Sequence, residues 1–415
     1  MSRIRRVLKW MGVALVVLAS TLLLANAWYV SSASRLLEEK LAQLSAANQP
    51  LSLPDLGRPA IPEDQNARAQ LQQVAAEVAE LRKQLSDLSP NQAQPSLDDP
   101  TQRDAVTQLF SEHEPLFVVF NRAASCPDYV PALRTDVPHT LFLEQLLTET
   151  AESREVSRLL TLRVNWLLAE GRRDEALEST LTQLKLARQL RRNPLIVWHL
   201  VTIACQYSAL DSVNRWLSSG DATDAQRKLL DDELALHDSR EGFRWALESE
   251  RASALTALRE MPGFDFWLSR GFACEGASHL IELFDEHLAI VDQPYTQVAT
   301  RKPSGRPASR HANTYRVVVE LLRPALDVAR EPTERVIAYS RALRVLNSLQ
   351  AKGNAAALPS LEHLGLPASA IQDPYSSESL LVKRVDGGWR VYSVGKNGRD
   401  DGGLIENLAD ICAGQ

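Results

Sequence analysis

Cysteine is scarce. The 415 residues carry four, Cys126, Cys205, Cys274 and Cys412, and no two of them form a C-x-x-C pair. A zinc or thioredoxin-type redox motif therefore has no support. Aromatic residues make up only 6% of the chain, while Leu, Ala, Arg and Glu abound, a composition that favours helices. There is no excess of positive charge: the formal net charge is −6, which argues against a nucleic-acid partner. Catalytic signatures are missing too. The chain contains no H-E-x-x-H, no G-x-S-x-G, no phosphate-binding glycine loop and no G-x-G-x-x-G. Composition and motif search thus indicate a folded helical protein and no recognisable reaction.

What stands out instead is one long apolar stretch, Met11–Val30. About 20 apolar residues at helical rise are enough to cross a hydrocarbon core. Arg3, Arg5, Arg6 and Lys9 precede it without an acid among them. The positive-inside bias then keeps residues 1–10 in the cytoplasm and sends the rest of the chain across the membrane. Trp28 and Tyr29 fall where an interfacial aromatic belt sits. The alternative is a signal peptide cut after Ala27, because Ala25-Asn26-Ala27 is an A-x-A pattern. Either way the bulk of the chain is extracytoplasmic: a single-pass inner-membrane protein in the first case, an exported one in the second.

Past this stretch, residues 31–65 read as a short helix with Leu37, Leu41 and Leu44 on one face, then a linker holding Pro50, Pro54, Pro59 and Pro62. Asn66–Leu88 places Leu71, Val74, Val78, Leu81, Leu85 and Leu88 at alternating spacings of three and four. This is either an amphipathic helix packed on its own domain or a short coiled coil. Residues 66–350 form a mainly helical domain. Its helices include Thr101–Ala124 with a bend near Pro115, Ser153–Ala169, Asp174–Leu190, Pro194–Leu217 with Pro194 in its first turn, and Thr314–Leu349 interrupted near Pro324 and Pro332. Trp166, Trp198, Trp216 and Trp245 recur on these helices as core or inter-helix packing residues. Residues 293–319 hold Arg301, Lys302, Arg306 and Arg310 and no acid, either a solvated loop or a contact for anionic lipid or an acidic polymer.

Beyond Gly365 the helical pattern stops, and residues 351–415 form a small β module. Leu380–Val385 and Trp389–Val394 are β-rich and are joined by Asp386-Gly387-Gly388, a hairpin signal. A glycine- and oxygen-rich loop follows, with Asn397, Asp400 and Asp401. Such a loop can fold back on itself and present the hard oxygens that Ca²⁺ prefers.

Three resemblances are visible. Ala169–Leu177, AEGRRDEAL, is similar to the turn and second-helix start of a tetratricopeptide repeat, through Gly171, Asp174, Glu175 and Ala176. That implies antiparallel helix pairs and a surface for a protein partner. The C-terminal series D-P-Y, W-R-V-Y-S-V-G-x-N-G-x-D-D-G-G and A-D-I resembles the calcium-binding β region of type II secretion major pseudopilins. The resemblance implies a structural Ca²⁺ held by the Val394 carbonyl, Asn397, Asp400 or Asp401, and Asp410. Asn397 stands where those proteins usually have Asp, and the N-terminus has no prepilin peptidase motif. The order of Ile61-Pro62-Glu63-Asp64-Gln65-Asn66-Ala67, G-R-x-D-E-A-L and the C-terminal glycine-rich series resembles that of uncharacterised single-span envelope proteins of planctomycete-type bacteria.

Two looser groupings invite chemistry. His279, Glu282 and His287 share a helix, but His287 is too far along it for a one-turn metal clamp. Cys126 and His139 are joined by a Pro-rich loop, with Cys126 and Cys412 the better disulfide candidates. The expected function is that of a membrane-anchored envelope binding or scaffold protein. The alternatives are an envelope-polymer hydrolase with a carboxylate site that no motif marks, and an accessory part of a type II secretion or pilus-like system.

Overall fold

The computed structural model describes residues 2–89, 94–299, 313–353, 360–385, 388–403 and 410–414. The loop positions Arg301, Lys302, Arg306 and Arg310, the turn residues Asp386 and Gly387, and Ala409 lie outside the described residues. The chain is mainly helical, with one small antiparallel sheet near its end.

Helix α1 (Ser2–Ala46) is a single 45-residue rod, so the apolar stretch and the helix after it are one element. Its halves have different surroundings. The apolar window is exposed throughout, whereas Ala33, Leu37 and Leu44 are buried. Asn48, at φ 54, turns the chain away from the helix end. The proline-rich segment that follows is docked, because Leu53 and Leu56 are buried and the Leu53 N–H donates to Thr256 Oγ1 at 2.9 Å.

The heptad-like stretch divides at Gln73–Val74 into α2 (Ala67–Gln72) and α3 (Ala75–Leu88). Val78, Leu81 and Leu85 are spent on the molecule's own core, so the seam is intramolecular. Helices α4 (Pro100–Glu112) and α5 (Glu114–Ser125) meet at His113, with Pro115 in the first turn of α5.

Helix α6 (His139–Ala169) is much longer than the sequence pattern suggested. A turn with Gly171 at φ 71 leads from it into α7 (Arg173–Gln189), and α8 (Ile196–Ser218) returns along α7. Buried Gln183 pins all three helices. Its Nε2 donates to Thr161 Oγ1 at 2.8 Å, and its Oε1 accepts from Ser212 Oγ at 2.9 Å. Pro194 precedes α8 instead of entering it. Leu195 intervenes with φ 73 and ψ 149, a conformation few side-chain-bearing residues adopt. It is held there by α10 (Glu241–Glu260), where Ser249 Oγ accepts from the Leu195 N–H and Glu250 Oε2 from the Ile196 N–H.

Helix α9 (Asp224–Ala235) opens with a capping box between Thr223 and Gln226. After α10 come α11 (Arg270–Leu288), α12 (Tyr295–Ala299), α13 (Thr314–Glu320) and α14 (Arg323–Ala351). The break near Pro324 is real, but Pro332 lies inside a continuous α14. A short α15 (Ala368–Ile371) leads to strands β1 (Leu381–Val385), β2 (Gly388–Ser393) and β3 (Ile411–Ala413). The hairpin pairs Val382 with Val391, and β3 adds a third strand that the sequence pattern did not show, placing Cys412 opposite Tyr392. Trp389 and Val391 are buried in the core that includes the C-terminal part of α14, so the sheet shares the core of the helices.

Candidate functional site

The β2–β3 loop begins at Val394, the residue after the strand. Asp373 forms the latch beneath it. One oxygen accepts from Ser393 Oγ at 2.7 Å and from the Tyr375 N–H at 2.9 Å, and the other accepts from the Val394 N–H at 3.0 Å. Asp373 is almost fully buried, and this fixes the exit of β2. Gly395, Gly398, Gly402 and Gly403 then all adopt positive φ, coiling the loop tightly.

The structure brings four of the five expected ligand residues to this coil through short contacts. Asn397 Nδ2 donates to Asp401 Oδ2 at 2.7 Å. Asp400 Oδ1 accepts from the Tyr392 hydroxyl at 3.0 Å and from the Gly402 N–H at 2.8 Å. Asp410 Oδ2 accepts from the Gly403 N–H at 2.7 Å. Val394 is buried at the loop entrance with its N–H on Asp373. The other oxygen of Asp410, Oδ1, is buried without a hydrogen-bond partner among the described residues. Burial holds this carboxyl above the ordinary carboxylate range; the backbone N–H groups of Gly403 and Asp401 oppose the shift and the charges of Asp401 and Asp400 add to it. Burial and the bond to Asp400 likewise push the Tyr392 phenol up to about 12.

The donor set is hard oxygen, the chemistry that Ca²⁺ takes. Two cations stand against it. Lys383 Nζ donates to the Gly402 carbonyl and Arg390 to the Gly403 carbonyl, the latter at 2.9 Å. Among the described residues, no three His, Cys, Asp or Glu side chains are placed to share a metal ion. Asp373, Lys383 and Arg390 were not singled out as site residues from sequence; the D-P-Y triplet was the only signal for the first.

A second concavity was not legible in the sequence at all. A cavity of ≈ 540 Å³ opens where the 3₁₀ turn at Leu53–Leu56, the Pro127-Asp128 loop, the end of α7 and the start of α10 converge. Arg58, Asp128, Arg191, Arg192, Trp245 and Glu248 line it. Arg58 is ion-paired with Asp128 and also donates to the Tyr129 carbonyl at 3.0 Å, and Arg192 lies 3.7 Å from Asp128. Arg191 donates to the Leu236 carbonyl at 2.7 Å and has no carboxylate within ion-pair range among the described residues. Burial, reinforced by the charge of Arg188, lowers its guanidinium from the usual range. Burial raises the Glu248 carboxyl, against the pull of Arg251 and Arg244. The Trp245 indole N–H is buried and has no hydrogen-bond partner among the described residues. Such mixed charge beside an aromatic wall suits a polar ligand or a peptide segment.

The remaining sequence candidates separate. His279 Nε2 meets Glu320 at 2.5 Å and His287 Nε2 meets Asp327 at 3.0 Å, so each pairs with the α13–α14 side instead of converging. The Cys126 thiol donates to the Asp64 and Arg122 carbonyls, while His139 Nε2 bonds Ser253 Oγ. All four cysteines are free, so the Cys126–Cys412 pairing is not made; each thiol sits in its own packing environment. Trp166, Trp198 and Trp216 are buried core residues as expected, and Trp245 is the one at a cavity. No protein-family model, no curated protein and no solved structure matches the chain.

Proposed function

We propose that the chain is a single-span envelope protein anchored through α1, and that its extracytoplasmic helical body binds or scaffolds a partner. The observation that carries this reading is the two-faced environment of α1. An apolar window with none of its residues buried needs another apolar phase, and the same helix continues into the body and is packed there. The cavity supports a binding role, because its guanidinium groups beside the Trp245 wall suit a polar ligand. The test is fractionation and topology of the full chain in its membrane. The expected result is retention in the membrane after alkaline carbonate, with the C-terminal region cut by protease from the extracytoplasmic side only. A chain released by carbonate, or protected from outside, overturns the proposal.

A second reading concerns the β2–β3 loop, which we propose takes a structural Ca²⁺ between Asn397, Asp400, Asp401, Asp410 and the Val394 carbonyl. Its support is the unpartnered Oδ1 of Asp410, beside two further carboxylates. A ligand bound only by the native state at 100 times its Kd adds about 2.7 kcal/mol. Millimolar Ca²⁺ should therefore raise the melting temperature relative to chelator in the parent. It should not do so in Asp410→Asn or in Asp400→Ala/Asp401→Ala. An unchanged melting temperature in the folded parent, with no calcium in the purified protein, refutes it.

A further inference from the structure

The turn between α10 and α11 and the first turn of α11 carry apolar side chains that stay about half exposed among the described residues. Phe266 is 53% exposed, Trp267 49%, Leu268 48% and Phe272 42%. The cluster is held in shape. Phe264 anchors it in the core, Gly263 at φ 86 turns the chain, and Ser269 Oγ closes the loop onto the Gly263 carbonyl at 2.6 Å. The adjacent charges cancel, since Arg270 pairs with Asp265 at 3.0 Å.

Its height along α1 is set by direct bonds. Asn26 Nδ2 donates to the Trp267 carbonyl at 3.0 Å. Tyr29 donates to Glu275 at 2.6 Å, and its ring centroid lies 5.2 Å from that of Phe272. Further along, Lys40 pairs with Glu282 at 3.3 Å. These contacts advance together, so α1 and α11 run parallel, and the turn at Phe266–Leu268 lies at the end of α11 nearest the apolar stretch. The exposed cluster therefore stands level with Asn26–Tyr29, the last turn of Met11–Val30. Aromatic side chains at that level meet the boundary between headgroups and acyl chains. An exposed apolar group of this kind on a folded body marks a contact surface.

We infer that Phe266, Trp267, Leu268 and Phe272 form a second membrane contact, inserted beside α1 into the interfacial layer of the same bilayer. This inference rests on α1 being the span. With two contacts the body cannot swivel freely about its anchor: the bilayer holds the α10–α11 turn down, and the end of α11 at Leu288 faces away from it.

The experiment uses the full chain in phosphatidylcholine nanodiscs whose acyl chains are brominated close to the headgroup. The parent is compared with Trp267→Phe and with Trp28→Phe, and difference spectra isolate the emission of each tryptophan. The Trp28 component reports the span and the Trp267 component reports the turn. Both are expected to lose roughly half or more of their intensity relative to unbrominated lipid, as belongs to aromatic side chains in the interface. Quenching of Trp28 with an unquenched Trp267 overturns the second contact and leaves the span standing. If neither is quenched, the span reading fails and the inference falls with it. Phe266→Ser/Leu268→Ser provides a further check, since it is expected to reduce Trp267 quenching while leaving Trp28 quenching unchanged. Undiminished Trp267 quenching in that variant counts against insertion of the cluster.

Discussion

Glu334 has no exposed side-chain surface and lies between two guanidinium groups. Arg240 reaches its carboxylate with two bonds, at 2.8 and 2.7 Å, and Arg330 approaches at 3.3 Å. Removing one partner of a buried pair costs about 3–5 kcal/mol, because the other charge is left uncompensated. Glu334→Ala should therefore lower the unfolding free energy obtained from urea titration by that amount, and an unchanged value would show that water reaches the pair. His199 makes the opposite kind of buried site. Its Nε2 bonds Thr333 Oγ1 at 2.8 Å, its Nδ1 has no partner among the described residues, and burial lowers its pKa to about 4. The fold holds the ring neutral while the unfolded chain protonates it near pH 6.5. Between those values the unfolded state binds the extra proton, so stability falls as the pH falls from 6.5 to 4, by up to about 3 kcal/mol. Stability measured across that window should depend less steeply on pH in His199→Gln. An identical slope would assign the acid sensitivity to other groups. Neither residue could be chosen from sequence. Arg240 and Glu334 are 94 positions apart, and nothing local distinguishes Glu334 among 52 acids.

At the scale of the element, periodicity was informative wherever an element's own residues decide its form. The apolar stretch, the turn at Gly171 and the β-hairpin all have local causes: hydrophobic length, a positive φ at glycine, and alternation flanking a turn. Legibility ended where tertiary contacts override local preference. Pro332 removes a backbone donor, yet α14 passes through it. The carbonyl left over belongs to Val328, which is 67% exposed, so solvent can satisfy it, while buried Ala329, Thr333 and Glu334 hold the flanks. The leucine stripe on the second half of α1 was visible, but its partner α11 was not. Gly271 makes that partnership close: a Cβ there would stand 2.4 Å from the Tyr29 ring. Gly271→Val should push Tyr29 and Phe272 apart and weaken the bond to Glu275. A loss of about 1–3 kcal/mol is expected for overpacking of this kind. Thermal unfolding in detergent checks it, and a variant as stable as the parent would mean that α1 is only loosely applied to α11.

The described residues form two hydrophobic cores, and α14 contributes to both. Leu326 and Ala329 join the core built mainly by the second half of α1 with α10, α11 and α13, while Val336, Ala338, Leu343 and Leu346 join the one that includes α6, α7, α8 and the sheet. It follows that Ala33, Leu37 and Leu44 are core residues of the body, whether α1 stays whole or is cut after Ala27. The sequence showed this segment as a tether followed by a linker, because its apolar face is too short to reveal what covers it. Shortening the chain separates the two roles of α1. A chain beginning at Asn26 keeps the Trp267 contact, the Tyr29–Glu275 bond and all three buried positions, and should unfold in urea near the parent's midpoint. A chain beginning at Asn48 exposes the face of α11 that those residues cover. Burial of each leucine contributes about 1.5–3 kcal/mol, so this shorter chain should lose roughly 3 kcal/mol or more. Equal midpoints for the two would mean that the second half of α1 is a spacer resting on the body, and the parallel docking that sets the height of the α10–α11 turn would lose its energetic basis.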